Sequence, residues 1–259
     1  MEKELTYKTD KTDSRSIARE LRNRQLHGIH VFEPSDVEFR ALFRYRIAIA
    51  KDIRRTCNRI KSFLYFRSIP IPSQYDNSNW SNNYINWLEQ LPLTYAPARI
   101  VLNQLVTNYR QWQQKKLDVD KQLRAIAKQV DLELYRLLQS VPGIGPLTSI
   151  AIMAELKDIT RFKHLKQLAG YVGFVPRISQ SGEKSYTVKM TYRNNNYLRP
   201  LLVEAAWQAI RSDPAMLAYY KQACIKSISK KAIIKVARKL LSKIMFVMKQ
   251  HELYKKNIA

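Results

Sequence analysis

The sequence predicts a mainly α fold, and three observations predict it. Long stretches repeat apolar residues at alternating spacings of three and four. Only one short stretch, SYTVKMTY, alternates every second residue. Beyond residue 139 the elements shorten and are joined by tight turns. The architecture expected is a long antiparallel coiled-coil arm followed by a compact, mostly helical C-terminal domain with one short β-hairpin.

Residues 1–33 contain one helical stripe in SRSIARELRNRQLHGI, with Ile17, Ala18 and Leu21, beginning near Ser14. A single helix cannot bury itself. From Pro34 a second helix runs to about Phe66, with Phe43, Ala50, Ile53, Cys57, Ile60 and Leu64 on its apolar side. Its other faces carry many arginines, among them Arg40, Arg44, Arg46 and Arg59. Residues 68–97, rich in Pro, Ser and Asn, form an excursion with at most a short helix near Trp87.

A third helix is expected from Ala98 to Leu138. Leu102, Leu105, Tyr109, Trp112, Lys116, Val119, Leu123, Ile126, Val130 and Leu137 make its seam. Such a helix is about 60 Å long and packs antiparallel on the helix over 37–66 or on another subunit. Lys116 is the outlier, either setting register or snorkelling off the seam. Within 139–259, VPGIGPLTSIAIMAEL joins two helices through a Gly-Ile-Gly turn, SYTVKMTY is a strand or hairpin arm, and helices close the chain at about 197–211, 214–225 and 229–250. In the last, Ile233, Ala237, Leu240, Leu241, Ile244 and Met248 share one face and lysines line the rest.

With 259 residues and 46% apolar content the chain can bury a real core. Forty-five Lys and Arg against twenty-one Asp and Glu leave a net charge of +24. That excess would be relieved by a polyanion, with nucleic acid the first candidate beside a ribosome-like or chaperone-bound basic protein and an anionic membrane surface; composition alone does not rank them. Cys57 and Cys224 lack metal-ligand spacing and read as buried thiols in a reducing compartment. The start MEKELTYKTDKTDSRS has no apolar signal-peptide core, and no stretch is long and apolar enough for a membrane span. A cytoplasmic protein without a membrane partner is expected.

Three motifs carry chemistry, each with a plainer reading beside it. In SVPGIGPLTSIAI, Gly143 and Gly145 either let a nucleic-acid phosphate approach the backbone closely, in the manner of a helix-hairpin-helix module, or only permit the tight turn between two helices. In KTDKTDSRS, Asp10 and Asp13 lie one helical turn apart and can share a divalent cation, or can simply favour a helix start. In RISQSGEKSY, Ser181 sits beside Gly182 among Arg177, Lys184, Lys189, Arg193 and Arg199. A cationic surround suits a phosphodiester, whose transition state gathers negative charge, but no His or Glu other than Glu183 is close in sequence, and QSGEK is also an ordinary turn.

Taken in series, LLQSVPGIGPLTSIAIMAEL, FKHLKQLAGYVGFVPRISQSGEKS, YRNNNYLRPLLVEAAW and KKAIIKVARKLLSKIMFVMKQHELY resemble the C-terminal transposase domain of the insertion sequence 110 family. YKTDKTDSRSIARELR resembles the end of that family's RNase H-like DEDD domain, so residues 1–33 are expected to be a remnant of an α/β fold. The resemblance implies a site-specific DNA transposase. In it, a serine attacks DNA to form a phosphoserine link, and four acidic residues hold Mg²⁺. The serine of the family's P-x-x-x-x-S-G pattern falls on Ser181, and the last two acids fall on Asp10 and Asp13. The family works as a homo-tetramer on element and target DNA, guided by a structured RNA.

The resemblance also implies that Arg177, Gly182, Lys184, Arg193 and Arg199 contact phosphates, with Gly143 and Gly145 close to the nucleic-acid backbone. It places the first Asp and the Glu of the acidic set before residue 1, leaving Asp10 and Asp13 as an incomplete metal site. A truncated copy, an upstream start and a separate polypeptide are the readings this leaves. The alternative function is a non-catalytic remnant that still grips nucleic acid.

Overall fold

A computed structural model describes residues 9–26, 28–76, 79–181 and 184–255; over 177–189 it describes backbone only. The described residues form nine helices and one two-stranded antiparallel sheet. They divide into two units, 1–33 and 34–259.

The first unit carries α1 (Asp10–Arg22), none of whose residues is buried. The helix begins four residues before the expected Ser14. Thr9 and Thr12 explain the earlier start: the Thr9 side chain accepts from the Thr12 amide and the Thr12 hydroxyl accepts from the Thr9 amide. This reciprocal cap satisfies two donors that a helix start otherwise leaves open. Ile17 and Leu21 of its apolar stripe are more than half exposed.

In the second unit α2 (Pro34–Phe66) and α4 (Ala96–Ser140) pair antiparallel along their length. The start of α2 packs with the later part of α4 in one core, through Phe39, Phe43, Ile49, Val119 and Leu123. The end of α2 packs with the start of α4 in another, through Ile60, Leu64, Leu102 and Val106. Alongside the first core, Arg46 of α2 and Asp120 of α4 form a two-pronged ion pair at 2.8 and 3.3 Å. The excursion over 68–97 contains α3 (Asn82–Gln90), which covers the second core with Tyr84, Ile85 and Leu88.

The α4 seam is interrupted after residue 127, although Leu137, also expected on it, is buried. Val130, expected inside, is 47% exposed. The reason lies next door: Asp131 leaves helical geometry at φ −163° and ψ 95°, and its carboxylate accepts from the Leu134 amide at 2.8 Å. One residue out of helix resets the phase, so Tyr135, Leu137 and Leu138 take over the buried side. Lys116 on the seam is half-buried. Cys57 and Cys224 are free thiols and half-buried rather than buried.

The first core continues without a break past residue 139 into α5 (Pro146–Leu156), α6 (Leu165–Val172), α7 (Leu198–Ser212), α8 (Pro214–Ile225) and α9 (Ser229–Gln250). Along α9, Ile233, Val236, Ala237, Leu240, Leu241 and Ile244 are buried. Between α6 and α7, β1 (Pro176–Ser181) pairs with β2 (Lys184–Met190) as a hairpin. Asp213 joins α7 to α8: it is 1% exposed, accepts from the Ala215 and Met216 amides, and takes the Tyr254 hydroxyl at 2.7 Å.

Candidate functional site

The sequence of α5, PLTSIAIMAEL, is almost wholly apolar, and every residue from Ser149 to Leu156 is buried. Glu155 is among them at 0% exposure. A carboxylate there is costly unless it is paired and fully hydrogen-bonded. α2 supplies the partners from one face, since Arg40 and Arg44 are four residues apart. Arg44 donates from Nε at 2.8 Å and Nη2 at 3.0 Å, Arg40 from Nε at 2.9 Å, and Asn195 from Nδ2 at 2.9 Å.

Tyr171 ties the same cluster to α6: its hydroxyl donates to the Glu155 carbonyl at 3.1 Å and accepts from Arg40 Nη2 at 3.4 Å. The Arg44 guanidinium also lies over the Tyr197 ring, 4.5 Å from its centroid. Burial pushes the Glu155 carboxyl up, but the bonds from Arg44, Arg40 and Asn195 together outweigh it and hold the group below its ordinary value. The hydrogen bond to Glu155 correspondingly raises Arg44, against the opposing effect of burial.

One carboxylate thus faces two arginines. They border a cavity of about 420 Å³ whose other walls are Tyr171, Arg193, Asn196 and Tyr197. The wall from 193 to 197 is fixed at both ends. Gly173 closes α6 at φ +94°, and any side chain there would run into the Cβ of Asn194. Asn195 Oδ1 accepts from the Tyr197 and Leu198 amides at 3.0 and 2.9 Å, just before α7.

The hairpin springs from this rim. The Thr191 amide donates to the Val175 carbonyl at 3.1 Å, immediately below the first strand pair, Pro176 with Met190. Arg199 braces the same base through the Thr191 carbonyl at 3.3 Å, and burial lowers its pKa. At the far end Ser181 is the last residue of β1, and its Cα partner is Lys184.

Two family matches run through this arrangement. Residues 135–221, which include α5, the hairpin and α7, match the transposases of the IS116/IS110/IS902 family. Residues 2–67 match the IS110-type DEDD transposase domain. The chain belongs to the IS110 transposase family.

Among its curated relatives are the transposase for insertion sequence element IS1111A of Coxiella burnetii, 27% identical over 79% of this chain and 55% of that protein, and the transposase for insertion sequence element IS1328 of Yersinia enterocolitica, 24% identical over 77% and 58%. The pilin gene-inverting protein of Moraxella lacunata is 30% identical over 58% of this chain and 48% of its own length. The chain spans about half the length of the curated relatives it matches. Transposases of this family in general act on DNA by strand transfer, and a DEDD domain in general requires a divalent metal. No helix among the described residues is long and apolar enough to cross a membrane.

In this IS110-family chain the residues singled out from the sequence occupy different places. Asp10 and Asp13 lie in the first turn of α1, both exposed. Their spacing puts two hard oxygen donors on one helix face, which fits part of a divalent-cation site; no group of three or more His, Cys, Asp or Glu among the described residues could hold a metal ion. Arg193 is exposed on the cavity rim. Ser181 is described by its backbone alone, as are Arg177 and Lys184, and Gly182 lies outside the described residues.

Gly143 has an internal reason to be glycine. It adopts φ +79°, and a Cβ there would strike the Ala205 carbonyl and come within 2.8 Å of the Ala209 amide of α7. Its bare side is therefore occupied by α7, so a bulkier residue there cannot leave the fold intact. Gly145, at the start of α5, faces open space. Sequence reading missed Glu155, Asn195 and the roles of Arg40 and Arg44. A lone carboxylate in an otherwise apolar helix was the available signal.

Proposed function

We propose that this chain carries the serine of a DNA strand-transfer reaction, with Ser181 as nucleophile. Its Oγ attacks a DNA phosphorus, an Oγ–P bond forms, and the bond from phosphorus to one deoxyribose oxygen breaks. The serine proton ends on that leaving oxygen, which departs as a hydroxyl. Resolution by a DNA hydroxyl then frees the serine and completes the strand exchange. The observation that carries this reading is the position of Ser181 at the end of β1 opposite Lys184, on a hairpin within the 135–221 family match.

Arg177, Lys184, Arg193 and Arg199, with the backbone at Gly145 and Gly182, are the nucleic-acid contacts in this account. Gly143 shapes the turn. Asp10 and Asp13 are two ligands of Mg²⁺, which when bound polarises phosphoryl oxygens. The α2–α4 pair serves as a coiled-coil arm that joins copies into a tetramer, residues 1–33 belong to an RNase H-like domain, and the basic surfaces also hold a structured guide RNA. A second reading is a nucleic-acid binder without strand-transfer activity, which the net charge of +24 supports without any catalytic group. A covalent protein–DNA adduct that Ser181→Ala abolishes separates the two.

A further inference from the structure

The cavity at the base of the hairpin has the chemistry of a phosphodiester site. We infer that Arg40, Arg44 and Arg193 bind one backbone phosphate of a nucleic-acid strand there, and that Glu155 is the positioning residue that aims the two α2 arginines. The identity of the ligand as nucleic acid rests on the function proposed above; the anion-binding character of the cavity does not.

Charge is the first argument. Two arginines contact the single carboxylate of Glu155 and a third stands on the rim, so among the described residues around the cavity arginines outnumber carboxylates three to one. An arginine pair kept purely for structure would be shielded, but the Arg40 and Arg44 side chains remain 21% and 36% exposed. Pre-organisation is the second. Arg44 is clamped by the two-pronged bond to Glu155 and by the Tyr197 ring, Arg40 by Glu155 and Tyr171. Guanidinium planes held this way lose little freedom on meeting a phosphate, whose oxygens match their fork geometry.

Position is the third. The cavity wall over 193–197 and the end of α6 flank the hairpin base. Ser181 lies five residues along β1 from Pro176, about 17 Å at the usual strand rise. The phosphate held here is therefore a different one from that attacked by Ser181. At roughly 3.4 Å per nucleotide along a duplex strand, the two are on the order of five nucleotides apart. The cavity fixes where the strand lies relative to the serine.

The test is the affinity of the full chain for a fluorescein-labelled DNA duplex, and for an RNA duplex of equal length, across a salt series. All variants are made in a Ser181→Ala background, so chemistry does not intervene. Arg193→Ala is expected to weaken binding on at least one duplex about tenfold and to flatten the log–log salt slope by about 0.9, the share of one phosphate contact. Lys128→Ala, which removes an exposed charge from α4, is expected to change both far less. Glu155→Gln keeps every arginine and adds net positive charge, so bulk electrostatics alone would tighten binding; loss of aim predicts weaker binding instead.

The melting curve of each variant reports folding, and Arg193→Ala, which leaves the Glu155 cluster untouched, stands if Glu155→Gln does not fold. Equal effects of Arg193→Ala and Lys128→Ala on both duplexes, or tighter binding by folded Glu155→Gln, overturn the inference. A failure of Ser181 to form an adduct while the Arg193 effect persists removes the proposed nucleophile and leaves this site standing.

Discussion

Arg44 and Glu155, 111 residues apart in sequence, meet in a two-pronged ion pair at 2.8 and 3.0 Å, and through it the α2 arm is fastened to the most apolar helix of the domain. Arg40 and Asn195 complete the shell around the same carboxylate. Glu155→Ala strands two arginines against an apolar wall and is expected to cost about 3 kcal/mol, the lower end for a broken buried pair because both arginines reach solvent. Urea unfolding measures it.

The same cluster sets an acid limit. The carboxyl of Glu155 is held below its ordinary value, so the stability it contributes is fully present above roughly pH 4.3 and is lost as pH falls through the lower folded value. The stability gap between the parent and Glu155→Gln should therefore close in that acid range and not near neutrality. A gap that stays constant down to pH 3 would show that ionised Glu155 does not stabilise the fold.

Gly143 and Gly145 should behave oppositely. Gly143→Ala meets the α7 backbone and a positive φ, and a loss of at least about 2 kcal/mol is expected. Gly145→Ala, with φ −94° and open space around it, should stay within about 0.5 kcal/mol while weakening DNA binding. Thermal melts read the first effect and DNA titration the second.

Tyr254→Phe removes the hydroxyl that reaches buried Asp213 and should cost about 1–2 kcal/mol. Burial, reinforced by Asp213, pushes the Tyr254 hydroxyl up to about 12. Its contribution is present below about pH 10 and fades as pH rises toward that value, so the variant and parent should converge in strong alkali.

Asp131→Ala should cost about 1 kcal/mol, because the carboxylate caps the helix that restarts at the kink. Val130→Lys, in contrast, should be neutral within about 0.5 kcal/mol, which a seam residue would not tolerate.

Much of this fold is written in local pattern. The three closing helices were expected at 197–211, 214–225 and 229–250 and lie at 198–212, 214–225 and 229–250, because α9 carries an uninterrupted apolar face and Asp213 caps a helix that opens on Pro214. The alternation in SYTVKMTY likewise marks β2. What local pattern does not carry is pairing at long range. Nothing near Glu155 announces Arg40 and Arg44, which reach it only because α2 crosses α5. The contact between Gly143 and Ala205 depends on how α7 packs against the turn. The break at Asp131 is set by one residue whose side chain competes with the helix, and a periodicity count reads straight through it. At the candidate site, Ser181 and the arginines around it are visible as composition, whereas the cavity beside them exists only once α2, α6 and the 193–197 segment are assembled.

The protein and its Ser181→Ala variant are incubated with a nicked element-end DNA and guide RNA in Mg²⁺, and covalent protein–DNA adducts are resolved on a denaturing gel and mapped by mass spectrometry. The account predicts an adduct from the parent with the phosphate on Ser181, and none from the variant. No adduct from the parent, or one that survives Ser181→Ala, contradicts it.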